Sequence, residues 1–123
     1  MPNSNRQRGD YLERQTRAAL EACGWIVVRA AGSLGVADLV ALRRDMRPLL
    51  VSCKLGPSIP PSERADLVEA SHTAGARPVM ATRTKRGYVD IHLVRRDTSY
   101  PQIDTIPVPK RPGKATELDE GEE

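Results

Sequence analysis

Three residues of this 123-residue chain have types and settings that chemistry can use: Glu13, Asp38 and Lys54. Asp38 stands between Ala37 and Leu39 in VADLVALRR, a stretch otherwise built of Val, Ala and Leu and read as a strand. A carboxylate among such neighbours is costly unless it is paired or binds a metal. Lys54 closes a second apolar run, LLVSCK, before a Gly-Pro stops it. If the strands form a meander, the start of one and the end of the next lie side by side at one edge of the sheet. Two carboxylates and a backbone carbonyl are hard-oxygen donors of the kind Mg²⁺ accepts. A lysine beside them can hold or help deprotonate an attacking water, or stabilise charge building on a phosphate.

Each residue also has an ordinary reading. A strand-end lysine can snorkel, laying its stem on apolar surface with its ammonium in water. Glu13, on a helix with Arg14 and Arg17, can be a surface acid paired with Arg17 one turn on. Asp38 can pair with Arg29 or Arg43. His72 reads as a partly exposed helix-end residue and His92 as a strand residue, while Trp25 and Cys23 read as core.

The elements that must position these residues follow from pattern. Residues 8–22 place Tyr11, Leu12, Thr16, Ala19 and Leu20 at helical spacing, with Asp10 as N-cap and Gly24 as the C-terminal stop. WIVVRAA, VADLVALRR and LLVSCK read as three strands, with Gly32 to Gly35 a loop and Arg44 to Pro48 a turn. PSIPPSE opens a second helix that runs to about His72, with Ser62, Glu63 and Asp66 suited to its cap and dipole. RPVMATR and YVDIHLV read as two further strands around a basic turn, Thr84 to Gly87. The expected order is α-β-β-β-α-β-β, one domain over residues 1–96. Residues 97–123 read as a Pro-rich and then acidic tail, mobile from about Arg111.

Composition narrows the function. Hydrophobic residues make up 39% of the chain, with no run near the ~20 apolar residues of a membrane span. MPNSNRQRGD lacks the apolar core of a secretory signal. Cys23 and Cys53 are too few and too far apart for a disulfide framework or a zinc site, which fits a reducing cytoplasm. The net charge of +3 is unevenly spread. Residues 97–123 hold three Lys/Arg and seven Asp/Glu, leaving sixteen basic and nine acidic residues, a net of +7, in residues 1–96. A basic body with an acidic tail suits a polyanion. Aromatics at 3% supply few platforms for stacking single-stranded bases, so phosphate-backbone contact is the expected mode.

Glu13, the Gly35 to Asp38 entry into the second strand, and Ser52-Cys53-Lys54 closing the third together resemble the core of the PD-(D/E)XK nuclease superfamily. Within it the chain most resembles the archaeal-type Holliday junction resolvases and their phage relatives, over about residues 7–95. Arg8-Gly9 before Glu13, the Gly24 to Arg29 turn into the first strand, Ser33, and GARPVMATR (residues 75–83) carry the same likeness. The resemblance implies an α/β, restriction-endonuclease-like fold with a mixed five-stranded sheet and flanking helices. It implies Glu13, Asp38 and the Cys53 backbone carbonyl as metal ligands, Lys54 as the catalytic lysine, and Ser33 as a loop residue near the scissile phosphate. One position departs from the pattern. Where an acid usually stands two residues before the lysine, this chain has Ser52, a neutral group that can orient a metal-bound water but cannot supply charge. Glu63 is a candidate to compensate if its turn packs near Lys54, although acids in a helix's first turn ordinarily complement its dipole.

The implied activity is a Mg²⁺-dependent endodeoxyribonuclease, with Mn²⁺ as substitute, that cuts branched double-stranded DNA by in-line attack of metal-bound water. Symmetric cutting of a four-way junction needs two opposed sites and hence a two-fold dimer. Val89, Ile91 and Leu93, or the residues from Ile103 to Val108, are candidates for its interface. Arg6, Arg8, Arg14, Arg29, Lys85 and Arg86 are candidates for phosphate contact, each equally explained as solvated basic surface. Two alternatives stand beside this reading. One is a nuclease or nickase with a different DNA substrate; the other is an inactive DNA-binding module that kept the fold after losing the acid at position 52.

Overall fold

The computed structural model describes residues 4–30, 36–97 and 99–109, with side chains from residue 7 onward. Helix α1 (Ser4–Ala22) buries Leu12, Gln15, Thr16, Ala19 and Leu20, the i, i+3, i+4, i+7, i+8 stripe of a helix lying on a sheet. Its start differs from expectation: Asp10 lies within the helix, not at its cap. A lone Gly9 costs a helix only about 1 kcal/mol relative to alanine, too little to break one held by tertiary packing. Its end is as expected. Gly24 adopts φ +97°, its N–H donating to Glu21 O while the Trp25 N–H donates to Leu20 O, a Schellman closure.

Strands β1 (Ile26–Arg29), β2 (Leu39–Arg43) and β3 (Met46–Cys53) form an antiparallel meander. Helix α2 (Pro61–Ala74) then crosses over so that β4 (Arg77–Thr82) pairs parallel to β3. Strands β5 (Tyr88–Leu93) and β6 (Gln102–Pro107) follow antiparallel, so the six-stranded sheet has the order β1-β2-β3-β4-β5-β6. Five strands were expected. The sixth lies in the segment read as a Pro-rich tail, where prolines at 101, 107 and 109 mask it; proline is tolerated at the ends of an edge strand, and β6 is an edge. The expectation for residues 111–123 lies outside the described residues.

Side-chain alternation gives the sheet two apolar faces. Leu49, Val51, Val79, Ala81, Val89 and Ile91 pack with Ala19 and Leu20 of α1. Leu50 and Met80 pack with Leu67 of α2, Ile59 and Val94. Fully buried Leu20, Leu39 and Leu67 each stabilise by about 1.5–3 kcal/mol relative to exposure. Because Val89 and Ile91 fill this core, they are not available for an interface between copies. Of the later apolar residues, Ile103 is exposed and Ile106 is buried. Cys23 is exposed, not core, and Trp25 is partly buried with the Arg43 guanidinium 5.8 Å from its ring centroid. Among the described residues no helix is long and apolar enough to cross a membrane.

Candidate active site

The ends of β1, β3 and β4 and the start of β2 meet at one end of the sheet, because β3 and β4 are parallel and their neighbours antiparallel. Asp38 sits one residue before β2. Its N–H donates to Val51 O at 2.8 Å, and its Oδ2 accepts the Cys53 N–H at 2.7 Å. The carboxylate therefore takes a backbone donor at the end of β3 and not, as one reading had it, Arg29 or Arg43. Lys54 follows β3, its N–H donating to Ala81 O of β4 at 2.9 Å. Glu13, one α1 turn above Gly9, reaches the same end: its Oε2 accepts from Arg29 Nε at 3.3 Å. Arg17, its expected partner, pairs with Glu21 instead.

These residues line one open cleft of about 320 Å³, made by Glu13, Arg29, Asp38, Ser52, Lys54 and Glu63 with Asp10 and residues 30, 36 and 37. Ser52 is only 6% exposed. Glu63, in the first turn of α2, pairs with Lys54, Oε1 to Nζ at 2.5 Å. Cys53 turns its thiol the other way, towards Thr16 of α1. Burial chiefly, then the Asp38 charge, push that thiol to about 12, with Glu13 adding in the same direction. Both carboxylates thus act electrostatically on the last residue of β3.

Glu13 and Asp38 each have one oxygen engaged by a protein donor, and the other accepts no hydrogen bond from the described residues. That donor set, two hard oxygens held from behind, suits a divalent cation. Among the described residues no three His, Cys, Asp or Glu side chains are grouped to hold a metal by themselves. Water or a phosphate oxygen would have to complete the shell.

The other expected contacts divide. Arg29 lines the cleft, and Arg14 lies beside it in a neighbouring hollow with Arg17 and Arg29. Lys85 and Arg86 are exposed on the β4–β5 turn, Lys85 Nζ 5.0 Å from the Tyr88 ring centroid. Ser33 and the side chain of Arg6 lie outside the described residues. Arg8 lines a second pocket with Tyr11, Leu12, Gln15, Leu55 and Arg83. Arg83 was not singled out from the sequence. Its Nη1 donates to the buried Gln15 at 2.8 Å, and its guanidinium stands 5.6 Å from the Tyr11 ring centroid. The only signal for it was its place at the end of RPVMATR, just after β4.

A mixed sheet with a helix on each face, carrying carboxylates and a lysine where its central strands end, is a restriction-endonuclease-like nuclease core. The comparisons with known proteins agree. The chain matches the family described as archaeal Holliday junction resolvase (Hjc) over residues 4–121. The solved structure of Hjc from Archaeoglobus fulgidus, a Holliday junction resolvase from an archaeal hyperthermophile, is similar with a TM-score of 0.63 at 22% identity. The likeness covers 78% of this chain and 88% of that one, and at that identity it speaks for the fold. No curated protein matches. The chain belongs to the archaeal Holliday junction resolvase family, and so to the nucleases of branched DNA.

Proposed function

We propose that this protein resolves four-way DNA junctions as a two-fold dimer, with Mg²⁺ as its natural ion and the cleft around Asp38 and Lys54 as its active site. The observation that carries this reading is the meeting of Glu13, Asp38, Ser52 and Lys54 in one cleft, in a chain of the resolvase family. Glu13, Asp38 and the Cys53 carbonyl would hold the ion. When bound, such an ion polarises the scissile phosphate and lowers the pKa of a coordinated water.

The protein's own groups supply the rest. Lys54 holds the attacking water or the charge that builds on the phosphate. Arg29 keeps Glu13 in place and faces the incoming backbone. Ser52 offers a hydroxyl to a water. Arg8, Arg14, Arg83, Lys85 and Arg86, with Arg6 and Ser33, contact flanking phosphates. Two copies aim these groups at opposite strands of a junction, and Ile103 on the β6 edge remains an accessible apolar residue for their interface.

The test compares four-way junction, flap and plain duplex of the same sequence under Mg²⁺ and Mn²⁺. Paired cuts in the junction, with little cutting of duplex, support resolution. Preferential cutting of flaps or nicking of duplex would favour a different DNA substrate. The loss of the acid at position 52 supports a second reading, a DNA-binding module without chemistry. Tight junction binding with no cuts under either ion would favour that one.

A further inference from the structure

We infer that Glu63, in a cleft with no acid at position 52, is the residue that positions Lys54. The inference rests on the reading of the cleft given above. The ordinary account of an acid in a helix's first turn is that it complements the dipole or closes a capping box on the N-cap N–H. Here the N-cap is Pro60, with Pro61 following, and Glu63 falls at the third helical position. Proline has no N–H, so the reciprocal bond of a capping box cannot form. No side chain caps this helix.

The Glu63 carboxylate turns to Lys54 instead. The start of α2 is held for this. Ile59 is buried, its N–H and carbonyl both 3.4 Å from the Tyr100 hydroxyl, and the Arg64 N–H donates to Pro60 O at 2.9 Å. Ser52, near the end of β3, and Lys54, just after it, both line the cleft that Glu63 also lines, so an acid at either 52 or 63 stands within that cleft.

Stability does not explain the pair. The Glu63 and Lys54 side chains are 48% and 25% exposed, and ion pairs so placed typically contribute less than about 1 kcal/mol. Position explains it better. A lysine stem has four rotatable bonds, and one carboxylate anchor restricts where its ammonium stands in the cleft that Asp38 also lines. Misplacing a reactive group by about 1 Å can cost about a hundredfold in rate.

The experiment uses the full chain with Glu63→Gln, Glu63→Asp and the double variant Ser52→Glu/Glu63→Gln. Single-turnover junction cleavage, junction affinity in EDTA, and the NMR signal of the Lys54 ammonium protons are measured on each. The expected result is cleavage about ten- to a hundredfold slower in Glu63→Gln, affinity within twofold of wild type, and ammonium protons that exchange faster. Glu63→Asp retains part of the rate, and the acid restored at 52 recovers at least tenfold. Wild-type cleavage by Glu63→Gln, while Asp38→Asn and Lys54→Ala are inactive, would overturn this inference alone. So would a Glu63→Gln defect that lies wholly in affinity. Should Ser52→Glu unfold the buried site, failure of Glu63→Asp to retain any rate would overturn it too. A wild type that binds junctions and never cuts them would overturn the reading of the cleft as well.

Discussion

Asp38 and Cys53 clamp the start of β2 to the end of β3: Asp38 Oδ2 accepts the Cys53 N–H at 2.7 Å while the Asp38 N–H reaches Val51 O. The carboxylate that the proposed chemistry needs is thus also part of the sheet. Substitutions should separate the two roles. Asp38→Asn keeps a carbonyl oxygen for the Cys53 N–H, and is expected to fold with stability near wild type and to lose cleavage. Asp38→Ala leaves that donor unpaired and should lose about 1–3 kcal/mol besides. Urea unfolding alongside junction cleavage checks both.

The same clamp sets the reactivity of the neighbouring thiol. Burial and the Asp38 charge hold the Cys53 thiol near 12, so almost none is thiolate at pH 8. Cys23 is exposed. Titration of the native protein with a thiol-specific disulfide reagent at pH 8 is expected to give one fast equivalent, lost in Cys23→Ser. The second should appear only on unfolding.

Much of this end of the molecule was legible. Asp38 drew attention because a charge in VADLVALRR needs a partner, and Lys54 because the apolar run stopped on it. Gly24 marked the end of α1 because no other residue takes φ +97° so readily. What escaped was non-local. Helical spacing points to Tyr11 and passes over Gln15, yet Gln15 is the buried one, its amide oxygen accepting from Arg83, 68 residues on, while Tyr11 is exposed. Strand β6 escaped because its partners for Asp90 lie across the sheet and its own prolines argued against a strand. The sequence makes Glu63 a candidate only on the condition that its turn packs near Lys54; the pair is present, but the crossover helix decides that packing and no local pattern does.

The pocket of Arg8, Tyr11, Gln15 and Arg83 is predicted to hold a backbone phosphate flanking the cut. Arg83→Ala should weaken junction binding irrespective of sequence and lower the slope of log affinity against log salt by about one. Binding titrations at several salt concentrations test this. An unchanged slope would remove Arg83 from the contact set.

Asp90 is a structural acid with a pH signature. It is buried at the β4–β5–β6 junction, where Thr84 donates to Oδ2 and Thr105 to Oδ1, at 2.5 and 2.9 Å. The Thr84 bond first, then Thr105 and nearby His92, hold its pKa below the ordinary aspartate value against the opposing effect of burial. A depressed folded pKa stabilises above the unfolded value and is lost as pH falls through the folded one. Unfolding free energy should therefore fall from about pH 4 downward, and less steeply in Asp90→Asn. Chemical denaturation between pH 5 and 2.5 checks the slope.

The most direct measurement is resolution of a four-way junction with Mg²⁺, at protein concentrations that saturate binding, by wild type, Glu13→Gln, Asp38→Asn and Lys54→Ala. Symmetric paired cuts by the wild type alone, with all four proteins binding the junction alike, are the predicted result. Cleavage undiminished by any of the three substitutions would place the chemistry elsewhere and contradict the account.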